Sequence, residues 1–243
     1  MTTRTLLQVV LGASLLSSCL KDGIEPTASA TDKSVALRFD LHCNGEHYEP
    51  GQLFTDGFGT LVRLEHLRFA LQGANLLNDH EHPMCTYPDV LLTMDLLNPD
   101  RPYTLTAQEP GDVHWMETRL ATSFSNMEDC PDSLWAHGTA GYFVPMFDVR
   151  GVYDSNDDGV IDAHDGTFRI AVAPAPQAAL RIHAHTTIAP HGGAMLEIPV
   201  NLKAMFHDID LPDEPITMGA GLYASQVLIN LRTRVLGSDN KPQ

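Results

Sequence analysis

The stretch Asp154 to Asp165, DSNDDGVIDAHD, places an oxygen donor at its first, third, fifth, ninth and twelfth positions: Asp154, Asn156, Asp158, Asp162 and Asp165. Gly159 stands sixth, where a chain wrapped around an ion must turn sharply. Val160 stands seventh and offers its carbonyl, and Ile161 stands eighth, where an apolar side chain holds the loop to a core. This is the spacing of a calcium loop of the EF-hand type. Hard oxygen ligands at alternating positions suit Ca²⁺, which takes six to eight of them. A solvated acidic turn is the plainer alternative. The twelfth residue is Asp, shorter than the bidentate Glu of sensor loops.

Histidine is the second chemical signal, with 12 His against 15 Lys plus Arg. His183 and His185 lie two apart in ALRIHAHTTI, so on a strand both face one side, about 6.6 Å apart, and can converge on one metal. His191 is close in sequence. His42 and His47 bracket a candidate hairpin, His80 and His82 share a loop with Met84 and Cys85, His114-Trp115-Met116 are consecutive, and His137 follows Trp135. Imidazole and thioether donors favour copper, with zinc or nickel as alternatives. The plainer reading of His183 and His185 is the polar face of an amphipathic strand. For His80 and His82 it is a solvated loop, and for the tryptophans a place in the core or its rim. The sequence contains no CxxC, HExxH, nucleophile elbow, phosphate loop or nucleotide fingerprint, so no enzyme activity is expected.

The N-terminus sets an expected compartment. Arg4 precedes a short apolar run, Leu6 to Leu16, and Leu16-Ser17-Ser18-Cys19 has the form of a bacterial lipobox. Residues 1–18 are read as a lipoprotein signal peptide, with Cys19 as the lipidated residue and 19–33 as a flexible tether. Leu20 follows Cys19, without the Asp that retains lipoproteins in the inner membrane. The expected place is therefore the outer membrane, on its periplasmic or surface side. A net charge of −16 excludes nucleic acid as a natural partner and favours cations. Export makes a disulfide plausible. Cys85 and Cys130 both lie in loop-like surroundings, and joining them would close a loop worth about 4 kcal/mol on the chain-entropy view. Cys43 is left as a buried thiol, although cysteine arithmetic alone does not decide the connectivity.

The elements that must carry these groups read as strands. Period-two alternation runs through 35–43. The stretch 60–77 reads as two strands with a brief break, and 89–97 is apolar enough for a central strand. Strands are also expected at 139–153, 166–173, 179–188 and 193–206, and only 225–236 looks helical. The expected fold is all-β: an antiparallel β-sandwich over 34–238 with a short C-terminal helix. The calcium-type loop joins two extended segments, where a cation would act as a clip and not as a sensor.

The order VALRFDLHCNG, FGTLVRLEHLRFALQGANLL, SLWAHGTAGYF, ALRIHAH and EIPVNLKAMF resembles the MbnP-like copper-binding proteins, from about Val35 to about Leu236. The calcium loop is similar to those of dockerins. The family resemblance implies an extracytoplasmic β-sandwich that binds copper. In some members a dihaem peroxidase-like partner oxidises a tryptophan to kynurenine beside the metal. Trp135 matches that segment by its distance from Gly141-Tyr142, although Ala136-His137 stands where a second aromatic is usual. The expected function is thus copper binding by a lipid-anchored protein with a structural calcium loop. The alternative is a calcium-stapled surface binding or adhesion module without a transition metal.

Overall fold

The computed structural model describes residues 33–98, 101–122, 136–138, 141–174, 179–219 and 221–236. The expected signal peptide, tether and Cys19 lie outside them. The chain opens with β1 (Ser34–Cys43), in which Val35, Leu37, Phe39, Leu41 and Cys43 are buried and the residues between them are half-exposed. One hydrophobic face per strand is what a sandwich requires. β1 lies beside β13 (Gly193–Asn201) in parallel and beside β2 (Glu46–His47) and β6 (Tyr103–Thr106) in antiparallel fashion.

The second sheet is built around β4 (Leu61–Leu77). Its order runs β12 (Ala179–Ile188), β7 (Gly111–Ala121), β4, β10 (Phe147–Tyr153), β11 (Gly166–Val172) and β14 (Ile216–Gly219). On the other side of β4 lie β3 (Leu53–Thr55) and β5 (Pro83–Asp95). A separate hairpin pairs β8 (Ala136–Gly138) with β9 (Gly141–Phe143). The core lies between the two main sheets. There Phe39 of the first meets Phe69 of the second edge to face at 5.5 Å, a contact worth about 0.5–1.5 kcal/mol beyond the area it buries.

The mainly β architecture with a short C-terminal helix agrees with the sequence reading, and three details differ. The fold is not wholly antiparallel, because β1–β13 and β11–β14 are parallel pairs. Residues 61–77 form one strand and not two. The apparent break is a bulge at Gly73, where φ is +81°, close to the point at which β4 changes partner from β10 to β7. The segment expected to be central, 89–97, belongs to β5, which among the described residues pairs with β4 alone and is an edge strand. Its apolar side chains, such as Leu92 and Met94, face the core from that edge.

The helical part begins earlier than expected. Asn201 caps a single turn, α1 (Leu202–Met205), by accepting the Ala204 N–H at 3.2 Å. α2 (Leu222–Asn230) buries Tyr223, Ala224 and Val227, and a π-helical turn at Leu231–Val235 continues the apolar stripe. The fully buried Asn230 amide donates to the carbonyls of Met205 and His207 at 3.0 and 2.7 Å. These bonds fix the helix to the end of α1.

Candidate functional site

Two places carry the chemistry that the sequence singled out. The first is the outer face of the β7–β12 ladder. Ile182 and Ala184 point into the core, which leaves His183 and His185 on the outer side, as period two requires. The pairing then assigns each histidine a different neighbour on β7. The ring of His183 lies edge to face on Trp115 at 5.0 Å, and that of His185 lies edge to face on His114 at 5.6 Å. A register shift between His183 and Thr186 produces the second contact. β12 spends three steps where β7 spends two, and the extra residue turns His185 toward His114.

Arg181 completes this face. Its guanidinium lies 4.6 Å from the centroid of the Trp115 ring, and its Nη2 donates to Glu81 at 2.9 Å. Glu81 sits at φ +62° in the β4–β5 turn, where the Asn78 side chain accepts the N–H groups of His80 and His82. The imidazoles of His80 and His82 are exposed, beside Asp79 and Glu109 at 3.6 and 3.7 Å, as expected of a solvated loop. The arrangement is a cation–π and imidazole surface with two histidines ring to ring. Among the described residues, no three His, Cys, Asp or Glu side chains are gathered into a group that holds a metal ion. What this face provides is a contact between two imidazoles, those of His114 and His185.

Sequence reasoning missed His114 as a partner because it missed β7 as a strand. In GDVHWMETRLA the buried residues Val113 and Met116 are three apart, and His114 and Trp115 between them are both half-buried. That breaks strict alternation. The available signal was the composition, since Val, Trp, Met and Thr in one run favour a strand.

The second place is the twelve-residue loop. It connects β10 to β11, which are antiparallel and paired from Phe147↔Val172 to Tyr153↔Gly166. The loop therefore joins two strands, as its flanks suggested. Asp154 is 6% exposed at its base and accepts the N–H of Gly159 on Oδ2 at 2.8 Å and that of Asp158 on Oδ1 at 3.3 Å. Gly159 sits at φ +81°, the conformation the sharp turn demands and one that suits glycine. Asp158 accepts Val160 N–H at 2.9 Å, and Asn156 donates to Asp158 at 3.0 Å. Asp165 accepts Asp162 N–H at 2.7 Å and Ser155 N–H at 3.0 Å, and these backbone donors hold its carboxyl below the usual range. Each of these carboxylates thus orders the loop backbone. Val160 is exposed and Ile161 half-buried. The loop carboxylates accept its own backbone N–H groups, and among the described residues they form no group of three that could hold a metal ion.

Cys43 and Cys85 are free, buried thiols. Cys85 donates to the Thr106 carbonyl at 3.5 Å, and burial pushes its pKa up to about 11. Cys130, its expected disulfide partner, lies outside the described residues, as does Trp135. His137 lies on β8, its ring edge to face with Tyr142 at 4.7 Å. No described helix is long and apolar enough to cross a membrane.

No protein-family model matches the chain, and no curated protein matches it in sequence. Among solved structures, MbnP from Methylosinus trichosporium is similar at a TM-score of 0.46 and 16% identity, over 77% of this chain and 81% of that one.

Proposed function

We propose that this is a lipid-anchored extracytoplasmic protein that binds copper as cargo on the β7–β12 face, with the Asp154–Asp165 loop as a structural calcium clip. The observation that carries the reading is the His114–His185 contact, two imidazoles presented side by side on rigid strands at an accessible face. Neutral imidazole nitrogen is a ligand for copper. Trp115, next to His114 on β7, carries the Arg181 guanidinium over its ring. Lipidation at Cys19 would hold the domain at the membrane, with no transmembrane segment required. In this reading a dihaem peroxidase-like partner is the class of enzyme that would modify a tryptophan, with Trp135 as its target.

Copper titrated into the metal-free mature domain tests the proposal. Stoichiometric binding that His114→Ala and His185→Ala each weaken supports it. Binding that neither substitution changes removes it.

The loop favours a second reading, a calcium-stapled surface binding module without a transition metal. Its support is the buried Asp154 at the base of a hairpin with a full set of oxygen donors. Elemental analysis of protein purified from its native envelope separates the two, since calcium without copper favours the module.

A further inference from the structure

An unpartnered carboxylate oxygen is buried in the second sheet, in the turn from β3 to β4. Asp56 is 2% exposed. Its Oδ1 accepts the N–H groups of Phe58 and Thr60 at 2.8 and 2.9 Å, while its Oδ2 is buried and accepts no hydrogen bond from the described residues. A buried carboxylate oxygen left in that state is costly, so a proton, a water or a cation has to satisfy it.

The turn lies against the segment that follows α1. A β-carbon on Gly57 would stand 4.0 Å from the Phe206 carbonyl oxygen. The sequence His207 to Glu214, HDIDLPDE, carries Asp208, Asp210, Asp213 and Glu214. Asp210 is half-buried and follows Ile209, whose N–H donates to that same Phe206 carbonyl at 3.2 Å. Asp213 turns aside to the Tyr223 hydroxyl, at 3.5 Å.

We infer that Asp56 and Asp210 are the side-chain ligands of a hard divalent cation of the calcium class, which ties the β3–β4 turn to the segment after α1. Backbone carbonyls and water complete the shell, as is usual for this ion. A cation between the two carboxylates relieves both the burial and the repulsion. A proton on Oδ2 would relieve them as well, and asparagine tells the two apart. It keeps the shape and donor character of a neutral carboxyl but loses the charge a cation needs.

The inference is independent of the copper reading. Calcium is titrated by calorimetry into calcium-free full-length protein: the wild type, the loop variant Asp158→Ala/Asp162→Ala, and Asp56→Asn. The expected result is one calcium retained by the loop variant, and one event lost in Asp56→Asn. A wild type with a single event, lost in Asp56→Asn and untouched in the loop variant, upholds this site and removes the loop. The same number of events in Asp56→Asn as in the wild type identifies Oδ2 as protonated or hydrated and overturns the inference. Should Asp56→Asn not fold, Asp210→Asn serves in its place: loss of one event supports the site, and no loss overturns it.

Discussion

His114 and His185 lie edge to face, 5.6 Å between ring centroids and 70° between planes, on neighbouring strands. If this pair holds copper, each single alanine variant weakens binding at least tenfold, which corresponds to about 1.4 kcal/mol. His80→Ala, in the exposed turn, leaves the affinity unchanged. Competition against a chelator of known copper affinity measures all three. Equal affinity in His114→Ala and wild type contradicts the assignment.

Calcium binding by the hairpin loop is expected to raise stability without changing the fold. Extracellular calcium modules bind with dissociation constants of about 10⁻⁴–10⁻³ M, and a ligand at one hundred times its Kd contributes about 2.7 kcal/mol. Asp158→Ala lowers the melting temperature in saturating calcium and leaves it nearly unchanged in chelator. Thermal scans in the two conditions check this, and an equal loss in both contradicts the clip.

Asp148 is the buried charge on which three strands converge. The carboxylate is 4% exposed. It takes two hydrogen bonds from Arg169, both at 3.0 Å, and two from Arg150, at 2.5 and 3.3 Å, with His66 at 3.9 Å. Arg169→Met leaves Arg150 as the remaining cation, so its cost stays below the roughly 3–5 kcal/mol of an unpaired buried charge and is read as a fall in the urea midpoint.

The same residue sets an acid limb. Burial raises the Asp148 carboxyl, but hydrogen bonds and charge from Arg150 and Arg169 outweigh it, and the folded pKa lies below the ordinary 3.8. A depressed carboxyl contributes stability that is present above the unfolded pKa and lost as pH falls through the folded one. Its share is therefore complete above about pH 4 and disappears below it. Asp148→Asn flattens that part of the stability–pH curve, measured by denaturant titration from pH 2 to 6.

Burial raises the thiol pKa of both Cys43 and Cys85, the latter to about 11. Neither is expected to react with iodoacetamide at pH 8 in the folded protein, and both react once it is unfolded without reductant. Peptide mapping reads each site separately. A Cys85 that stays unmodified after unfolding, until reductant is added, shows that it is joined to Cys130.

The strands were legible because each local pattern had one solution. In β1, alternation from Val35 to Cys43 places five side chains on one face, and in β12 it places His183 and His185 together on the other. The hairpin loop could also be read, since Gly159 and its oxygen donors act within twelve consecutive residues. β7 and the character of β5 were not legible. Two adjacent half-buried residues, His114 and Trp115, disrupt the period, and an apolar edge strand looks from its sequence like a central one.

The sequence by itself determined that the chain is sheet-built, which residues share a face, and where an acidic loop joins two strands, because these follow from geometry within one segment. Only the tertiary structure decided that His185 meets His114, that Trp115 lies under Arg181, and that Asp56 is enclosed beside the segment bearing Asp210. Such contacts depend on which strands pair and in what register. A one-residue bulge, invisible to local periodicity, is enough to change a side chain's neighbour.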